Sequence, residues 1–182
     1  MITEQQLNQF APSASKASIP LVVSSFNEFS DKYQVNTGLR IAAFFSQVIH
    51  ESGSFKYTKE IASGSAYEGR KDLGNIVPGD GVKFKGRGLI QITGRLNYGA
   101  LSKSICGDDH TLLNNPELLE TYPYAMESAF WFWDTRKLNP LADISYLKTI
   151  TKRINGGLNG WAERLTNYDR ICDVLGLPHW TE

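Results

Sequence analysis

The sequence has little of several features that would indicate a function directly. Its 182 residues carry 19 basic and 19 acidic side chains, so no excess positive charge is available to hold a nucleic acid. The longest aliphatic run, 21–23, is far shorter than the ~20 apolar residues of a membrane helix, and we expect no stable membrane insertion. The two cysteines, Cys106 and Cys172, cannot make a disulfide framework and are expected to be small core residues in a reducing compartment.

Several catalytic motifs are also missing. The sequence contains no phosphate-binding loop, no dinucleotide fingerprint and no nucleophile elbow. His50 and Glu51 do not begin a zinc motif, because Ser54 stands where the second histidine would be. The first ten residues lack the basic and apolar regions of a signal peptide. We therefore expect chemistry based on carboxylates, with no metal and no cofactor, in a chain without a signal peptide.

Apolar residues recur at helical spacing over most of the chain, which predicts a mainly α structure. We expect one catalytic domain over 1–182, with a helical extension at 1–25. A helix that contains Leu39 and Ile49 should end at His50 and Glu51. The aromatic run 122–133 predicts a buried helix, and two amphipathic helices follow at 143–154 and 161–175. The stretch 62–88 carries seven glycines and predicts a long loop with at most a small hairpin.

Two carboxylates lie at and shortly after the end of the helix that contains Leu39 and Ile49. Glu51 lies at the negative end of the helix dipole, near the aromatic residues Phe55 and Tyr57, a setting that favours a protonated carboxyl group. Glu60 follows nine residues later and could be an ionised partner. A protonated and an ionised carboxyl together form an acid and a base. From these features alone, two solvated surface charges remain the simpler interpretation.

The segment from Lys85 to Gly99 changes this interpretation. It contains GRGLIQIT followed by NYG, and it resembles the signature of glycoside hydrolase family 19, which includes chitinases and many phage endolysins. Four motifs of that family occur here in the family's order: His50-Glu51, Gly86 to Thr93, Asn97-Tyr98-Gly99 and Ile154-Asn155-Gly156-Gly157. The resemblance covers residues 38–175.

The resemblance implies a role for each matching residue. Glu51 would be the general acid, Glu60 the general base, and Thr93 the hydroxyl that helps to hold the attacking water. Three further side chains would line the sugar subsites, namely Gln91, Tyr98 and Asn155. A structural hydrogen-bonding role remains open for Gln91 and Tyr98.

Three more residues have alternative interpretations. Arg87 could bind sugar or could hold the catalytic carboxylates by a charge-assisted hydrogen bond, and we favour the second role. Trp161, beside the INGG loop, is the best aromatic candidate for substrate contact. Glu68 is the second candidate for the base, because it lies on the glycine-rich loop and could swing towards the substrate.

The resemblance implies a lysozyme-like α-helical fold with a catalytic cleft and at most a small β-hairpin. Family members invert the anomeric centre, which requires about 6.5–9.5 Å between the two carboxyl groups. Our first hypothesis is an endolysin of the muramidase type, acting on the β-1,4 bonds of bacterial peptidoglycan. A chitinase is the alternative, and an inactive sugar-binding module is disfavoured by the presence of Glu51, Glu60 and Thr93. We expect a monomer that is held in the host cytoplasm before release to the cell wall.

Overall fold

The computed structural model describes residues 1–181 and is built almost entirely from helices. Within this range, β-structure is limited to two isolated bridges, which join Arg87 to Lys59 and to Ile92. The predicted mainly α class, with at most a small hairpin, is confirmed. None of the described helices is both long and apolar enough to cross a lipid bilayer.

The helices vary from single turns to four turns in length. In chain order, the α-helices are α1 (Glu4–Phe10), α2 (Ser18–Phe29), α3 (Gly38–Glu51), α4 (Asp80–Lys83), α5 (Arg95–Ile105), α6 (Thr111–Asn114), α7 (Tyr124–Thr135), α8 (Asn139–Asp143), α9 (Leu147–Asn155) and α10 (Trp161–Leu175). Three short 3-10 helices are η1 (Ser65–Tyr67), η2 (Lys71–Leu73) and η3 (Pro116–Glu120).

The chain forms two compact units. The first unit contains Met1–Lys56 and the chain from Phe132 onward, and the second contains Tyr57–Trp131. The boundary on the C-terminal side falls inside α7. The assignment of a single catalytic domain to 1–182 stays a prediction.

The core of the first unit is built around α3. Thr37 is the N-cap of this helix, and its hydroxyl accepts a hydrogen bond from the backbone N–H of Arg40 at 3.4 Å. The α3 residues from Ile41 to Ile49 are all buried, and α10 packs against the helix. Phe10 of α1 lies 5.6 Å from Phe45, ring centre to ring centre, and is fully buried. The segment predicted as an N-terminal extension is therefore part of this core.

The second unit contains the glycine-rich stretch, and polar side chains order its backbone. Asn75 is buried, donates to the carbonyl of Tyr67 at 2.9 Å and accepts from the backbone N–H of Arg95 at 2.9 Å. Asp80 is also buried and accepts from the Arg95 guanidinium at 2.8 Å and 2.5 Å. This pairing with Arg95 holds the pKa of the Asp80 carboxyl below its usual value. The predicted long loop is thus a sequence of short helical turns joined by hydrogen bonds.

Candidate active site

Glu51 is the last residue of α3, in the first unit. Just after the helix, the hydroxyl of Ser52 donates to the carbonyl of Val48 at 2.7 Å and accepts from the backbone N–H of Phe55 at 2.9 Å. The next three residues, 53–55, have φ values of 57°, 60° and 65°, which turn the chain away from the helix axis. The sequence argument from the helix end and Ser52-Gly53 therefore located this carboxyl group correctly on its element.

An arginine that the sequence analysis did not select holds Glu51. Arg164 of α10 is 2% exposed, and its Nη2 donates to Glu51 Oε1 at 2.5 Å. Its Nη1 donates to Gln47 Oε1 at 2.7 Å, and its Nε donates to the carbonyl of Asn159 at 3.2 Å. Because three acceptors fix the guanidinium, the Glu51 carboxyl is oriented by a rigid donor. In the sequence, nothing distinguishes Arg164 from the other basic residues.

The residues just before Glu51 and Arg164, namely His50 of α3 and Glu163 of α10, are also in contact. His50 Nδ1 lies 2.7 Å from Glu163 Oε2. Gly160 approaches the same imidazole so closely that a Cβ there would lie 2.1 Å from His50 Cε1. Gly160 also has a φ of 71°, so a side chain at this position is excluded twice. Two adjacent residues of α3 are thus matched by two adjacent residues of α10.

Glu60 lies in the second unit, and hydrogen-bond donors hold both of its carboxylate oxygens. Tyr67 donates its hydroxyl to Oε1 at 3.0 Å, and the backbone N–H of Gly86 donates to Oε2 at 3.0 Å. A Cβ on Gly86 would lie 3.2 Å from Glu60 Oε2 and 2.8 Å from Gln91 Oε1. The first glycine of the GRG motif is therefore required for the close approach of these two side chains.

The rest of the GRGLIQIT segment forms a tight turn. Gly88 has a φ of 79°, and a Cβ there would lie 2.3 Å from Ser128 Oγ. Gln91 also adopts a positive φ of 57°, and its amide donates to the carbonyl of Gly88 at 3.0 Å. The hydroxyl of Thr93 donates to the carbonyl of Gln91 at 2.9 Å. The Thr93 oxygen keeps lone pairs with which it can accept a hydrogen bond from water.

Arg87 does not hold either predicted catalytic carboxylate, so the role that we favoured is wrong. Its Nε donates to Glu120 at 2.8 Å, and its Nη1 donates to the carbonyl of Lys83 at 2.7 Å and to Tyr98 at 3.1 Å. Lys59 Nζ reaches the other oxygen of Glu120 at 2.8 Å. Burial opposes ionisation of Glu120, but the hydrogen bonds from Lys59 and Arg87 keep the pKa of its carboxyl below the usual value. Arg87 is a buried structural residue, occupied by these partners.

Tyr98 offers no ring face to a sugar, which corrects its predicted role. The side chain is 0% exposed, and its ring lies 5.3 Å from that of Phe84, centre to centre. The hydroxyl donates to the carbonyl of Lys85 at 2.7 Å, and burial raises the pKa of Tyr98. The structural hydrogen-bonding role that was left open for this tyrosine is the one observed.

Glu68 is held in place rather than free to swing. Its two oxygens accept from the backbone N–H groups of Gly79 at 2.6 Å and Gly81 at 2.8 Å. A Cβ on Gly81 would lie 2.5 Å from the backbone nitrogen of Glu68, so the two chain segments are in close contact. Glu68 therefore fastens the start of α4, and the argument for it as the base is removed.

Asn155 and Trp161 flank the INGG loop of the first unit. The amide of Asn155 is used within the loop, where it accepts from the N–H of Gly157 at 2.8 Å and donates to the carbonyl of Asn159 at 2.9 Å. Trp161 is partly exposed, and its ring meets that of Trp180 edge-on at 5.2 Å. Substrate contact by these two residues, and by Gln91, stays a prediction.

The described part of the chain contains no group of three or more metal-ligating side chains. Cys106 and Cys172 are both free, and burial raises the pKa of the Cys172 thiol to about 11.

Known proteins are similar to this chain in sequence. Residues 14–145 match the profile of glycoside hydrolase family 19, described as chitinase class I. A Haemophilus influenzae protein, described as containing a glycosyl hydrolase family 19 domain, is 30% identical over 199 residues, which cover 92% of this chain and 94% of that protein. An Arabidopsis thaliana endochitinase is 37% identical over 155 residues, which cover 81% of this chain and 52% of the endochitinase.

The fold is also found among solved structures. Chitinase C from Streptomyces griseus superimposes with a TM-score of 0.73 at 22% identity, over 100% of this chain and 79% of that chain. The chain thus spans nearly the whole Haemophilus influenzae protein, but about half of the plant endochitinase. The profile match and the full-length relative show that the chain belongs to glycoside hydrolase family 19, a family of glycosidases.

Proposed function

We propose that the protein hydrolyses the β-1,4 bond between N-acetylmuramic acid and N-acetylglucosamine in peptidoglycan, with inversion at the anomeric carbon. Glu51 acts as general acid, Glu60 as general base, and Thr93 helps to hold the water. The observation that carries the reaction type is that each carboxyl group is oriented by donors, Glu51 by Arg164 and Glu60 by Tyr67 and Gly86. Oriented carboxyl groups of this kind are what acid and base catalysis of glycoside hydrolysis needs.

The contacts of Glu51 leave one carboxyl oxygen for the transferred proton. Arg164 binds Oε1, so Oε2 is the oxygen that can carry the proton. In the reaction, this proton passes to the glycosidic oxygen while the bond between that oxygen and the anomeric carbon breaks. The guanidinium then stabilises the carboxylate that forms, because it is already placed for a charge-assisted hydrogen bond.

The contacts of Glu60 suit a base. Each oxygen accepts one hydrogen bond, and a carboxylate oxygen has a second lone pair with which to accept a proton from water. The Thr93 hydroxyl donates to Gln91 and can therefore accept the second O–H of that water. The water oxygen then attacks the anomeric carbon, its proton passes to Glu60, and the product is the α anomer.

A cation beside aromatic rings supports peptidoglycan as the substrate. Lys148 Nζ lies 5.9 Å from the ring centre of Trp161 and 5.3 Å from that of Trp180, in the same unit as Glu51. Peptidoglycan carries lactyl-peptide carboxylates on alternate sugars, and an ammonium group next to a sugar-binding ring can meet them. Lys152 lies one turn further along α9 and adds a second positive charge on the same side of the helix.

The relatives favour a second candidate, a chitinase. Plant proteins at 37% and 38% identity are named endochitinases. The chemistry at the bond is the same for chitin, because the family motifs act at the glycosidic bond and not on the lactyl-peptide. The two candidates differ in whether Lys148 and Lys152 contribute to substrate binding, since chitin is neutral.

The test incubates the protein in parallel with purified peptidoglycan and with chitin oligomers, and identifies new reducing ends by mass spectrometry. Glu51→Gln is the control for each substrate. Muropeptides that end in reduced N-acetylmuramic acid after borohydride treatment support the proposal, and the wild-type product should be the α anomer by NMR. Cleavage of chitin with intact peptidoglycan favours the second candidate. Release of peptides without new reducing ends contradicts both candidates.

A matched pair of variants tests the carboxylate contact. Lys148→Met should raise KM for peptidoglycan about tenfold and leave the cleavage of chitin oligomers unchanged, because only the first substrate carries carboxylates. Lys16→Met, a change at an exposed lysine of the same unit, is the control. An equal effect of Lys148→Met on both glycans contradicts the assignment of peptide carboxylates to this lysine.

A further inference from the structure

The hydroxyl of Tyr67 is placed on Glu60 by a part of the second unit that has its own supports. The backbone N–H of Tyr67 donates to the carbonyl of Gly64 at 2.9 Å, and its carbonyl accepts from the buried Asn75 at 2.9 Å. Gly64, with a φ of 87°, lies so close to Gly81 that a Cβ would be 2.6 Å from the Gly81 carbonyl oxygen. The position of Tyr67 is therefore fixed by its backbone, independently of its hydroxyl.

The next residue, Glu68, holds the same segment through its side chain. Glu68 accepts from the N–H groups of Gly79 and Gly81, at the start of α4. The hydroxyl of Tyr67 donates to Glu60 Oε1 at 3.0 Å. A phenol held in this way is a preorganised donor, because forming the hydrogen bond requires little further ordering.

We propose that Tyr67 is a positioning residue for the catalytic base, and that its hydroxyl orients the Glu60 carboxylate. The inference rests on the proposed role of Glu60. Together with the N–H of Gly86, which binds the other oxygen at 3.0 Å, the tyrosine fixes the rotation of the carboxylate plane. The lone pair that receives the proton from water is thereby directed by the protein and not by solvent.

The hydroxyl keeps its proton over the whole range in which the base works. Burial and the hydrogen bond to Glu60 raise the pKa of Tyr67 above 10, so the phenol is a donor at every pH of interest. Other charged groups of the second unit act on the pair. The charge of Arg70 acts on Tyr67, Tyr98 and Glu60 interact electrostatically, and Lys59, next to Glu60 in sequence, is paired with Glu120.

The test is the measurement of kcat and KM for Tyr67→Phe on peptidoglycan and on chitin oligomers. We expect kcat to fall about threefold to tenfold with KM unchanged, because the contact is to the base and not to the substrate. Tyr146→Phe, which removes a hydroxyl from a tyrosine that is 57% exposed, is the matched control and should keep the wild-type kcat and KM.

Glu60→Gln, measured beside these variants, separates the two levels of the argument. If Glu60→Gln is inactive and Tyr67→Phe lowers kcat with KM unchanged, the inference is supported. If Glu60→Gln is inactive and Tyr67→Phe keeps the wild-type kcat, the inference fails and the proposed function stands. If Glu60→Gln keeps the wild-type rate, both fail. Thermal unfolding of Tyr67→Phe should stay within a few degrees of the wild type, and a large loss of stability together with a raised KM would also overturn the inference.

Discussion

Replacing Arg164 by alanine removes three hydrogen bonds from a side chain that is 2% exposed. The acceptors of these hydrogen bonds are Glu51 Oε1 at 2.5 Å, Gln47 Oε1 at 2.7 Å and the carbonyl oxygen of Asn159 at 3.2 Å. A hydrogen bond to a charged group contributes about 1.5–3 kcal/mol, and breaking a buried pair by removing one partner costs about 3–5 kcal/mol. Because Glu51 keeps 21% side-chain exposure, water can replace part of the lost contact.

We therefore expect Arg164→Ala to lower the free energy of unfolding by about 3 kcal/mol. For a chain of this size, that corresponds to a fall in Tm of roughly 6–12 °C, measured by calorimetry or circular dichroism. Turnover should fall at least about 100-fold, because Glu51 loses the donor that orients it. Arg164→Lys should recover part of the stability but little of the turnover, since an ammonium group cannot reproduce the planar fork.

A surface ion pair in the same unit provides the matched control. Arg40 and Asp143 form two hydrogen bonds of 2.7 Å, but the Asp143 side chain is 40% exposed. Exposed pairs contribute about 0–1 kcal/mol, so Asp143→Ala should lower Tm by no more than roughly 4 °C and leave turnover unchanged. If Arg164→Ala costs no more stability than Asp143→Ala, the reasoning from burial and hydrogen bonding is refuted.

Three further predictions follow from individual contacts. Glu51→Gln should abolish turnover and keep substrate binding, because the amide has no proton to donate; loss of binding in calorimetric titrations would contradict this. Glu60→Gln should be nearly as severe, whereas Glu68→Gln should keep most of the rate, and the reverse pattern in turnover assays would exclude Glu60 as the base. Gly88→Ala should destabilise the protein by about 2–4 kcal/mol in urea unfolding, because a Cβ would lie 2.3 Å from a neighbouring hydroxyl oxygen at a φ of 79°; a near-neutral effect would show that this turn can relax.

The buried Asp80 should make the stability of the protein depend on pH in acid. The pKa of Asp80 is lowered in the folded protein by its hydrogen bond to Arg95, so its contribution to stability is complete above the unfolded value of about 3.9 and is lost as pH falls through the folded value. Asp80→Asn should therefore be less stable than the wild type at pH 6, and the difference should shrink below about pH 4. A difference in the urea midpoint that is constant from pH 6 to pH 2.5 would contradict this linkage.

Local features of the structure could be predicted from the sequence. The predicted end of the helix at His50 and Glu51 agrees with the end of α3, because a helix end depends on residues that are neighbours in the chain. The mainly α class followed from apolar spacing for the same reason. The family motifs lie in the order expected of glycoside hydrolase family 19, and the family assignment is confirmed by the comparisons.

The partners of the charged and polar side chains could not be predicted in this way. Arg87 was expected to hold catalytic carboxylates, but it pairs with Glu120, which is 33 residues away. Tyr98 was expected to face sugar and is instead fully buried. Glu68 was expected to be mobile, yet it fastens a turn that begins eleven residues later. In each case, the sequence supplied the chemical group and the fold selected its partner.

The sequence by itself therefore determined the elements, the family and the two carboxylates proposed for catalysis. Only the tertiary structure decided which donors orient those carboxylates. Arg164 reaches Glu51, which is 113 residues away in the chain, because α10 packs against α3. Tyr67 reaches Glu60 because hydrogen bonds and close backbone contacts hold the segment around Tyr67 in place. Secondary structure depends on local spacing and can be predicted from neighbours, whereas a hydrogen bond between distant residues exists only after the packing of whole elements has brought its donor and acceptor within about 3 Å.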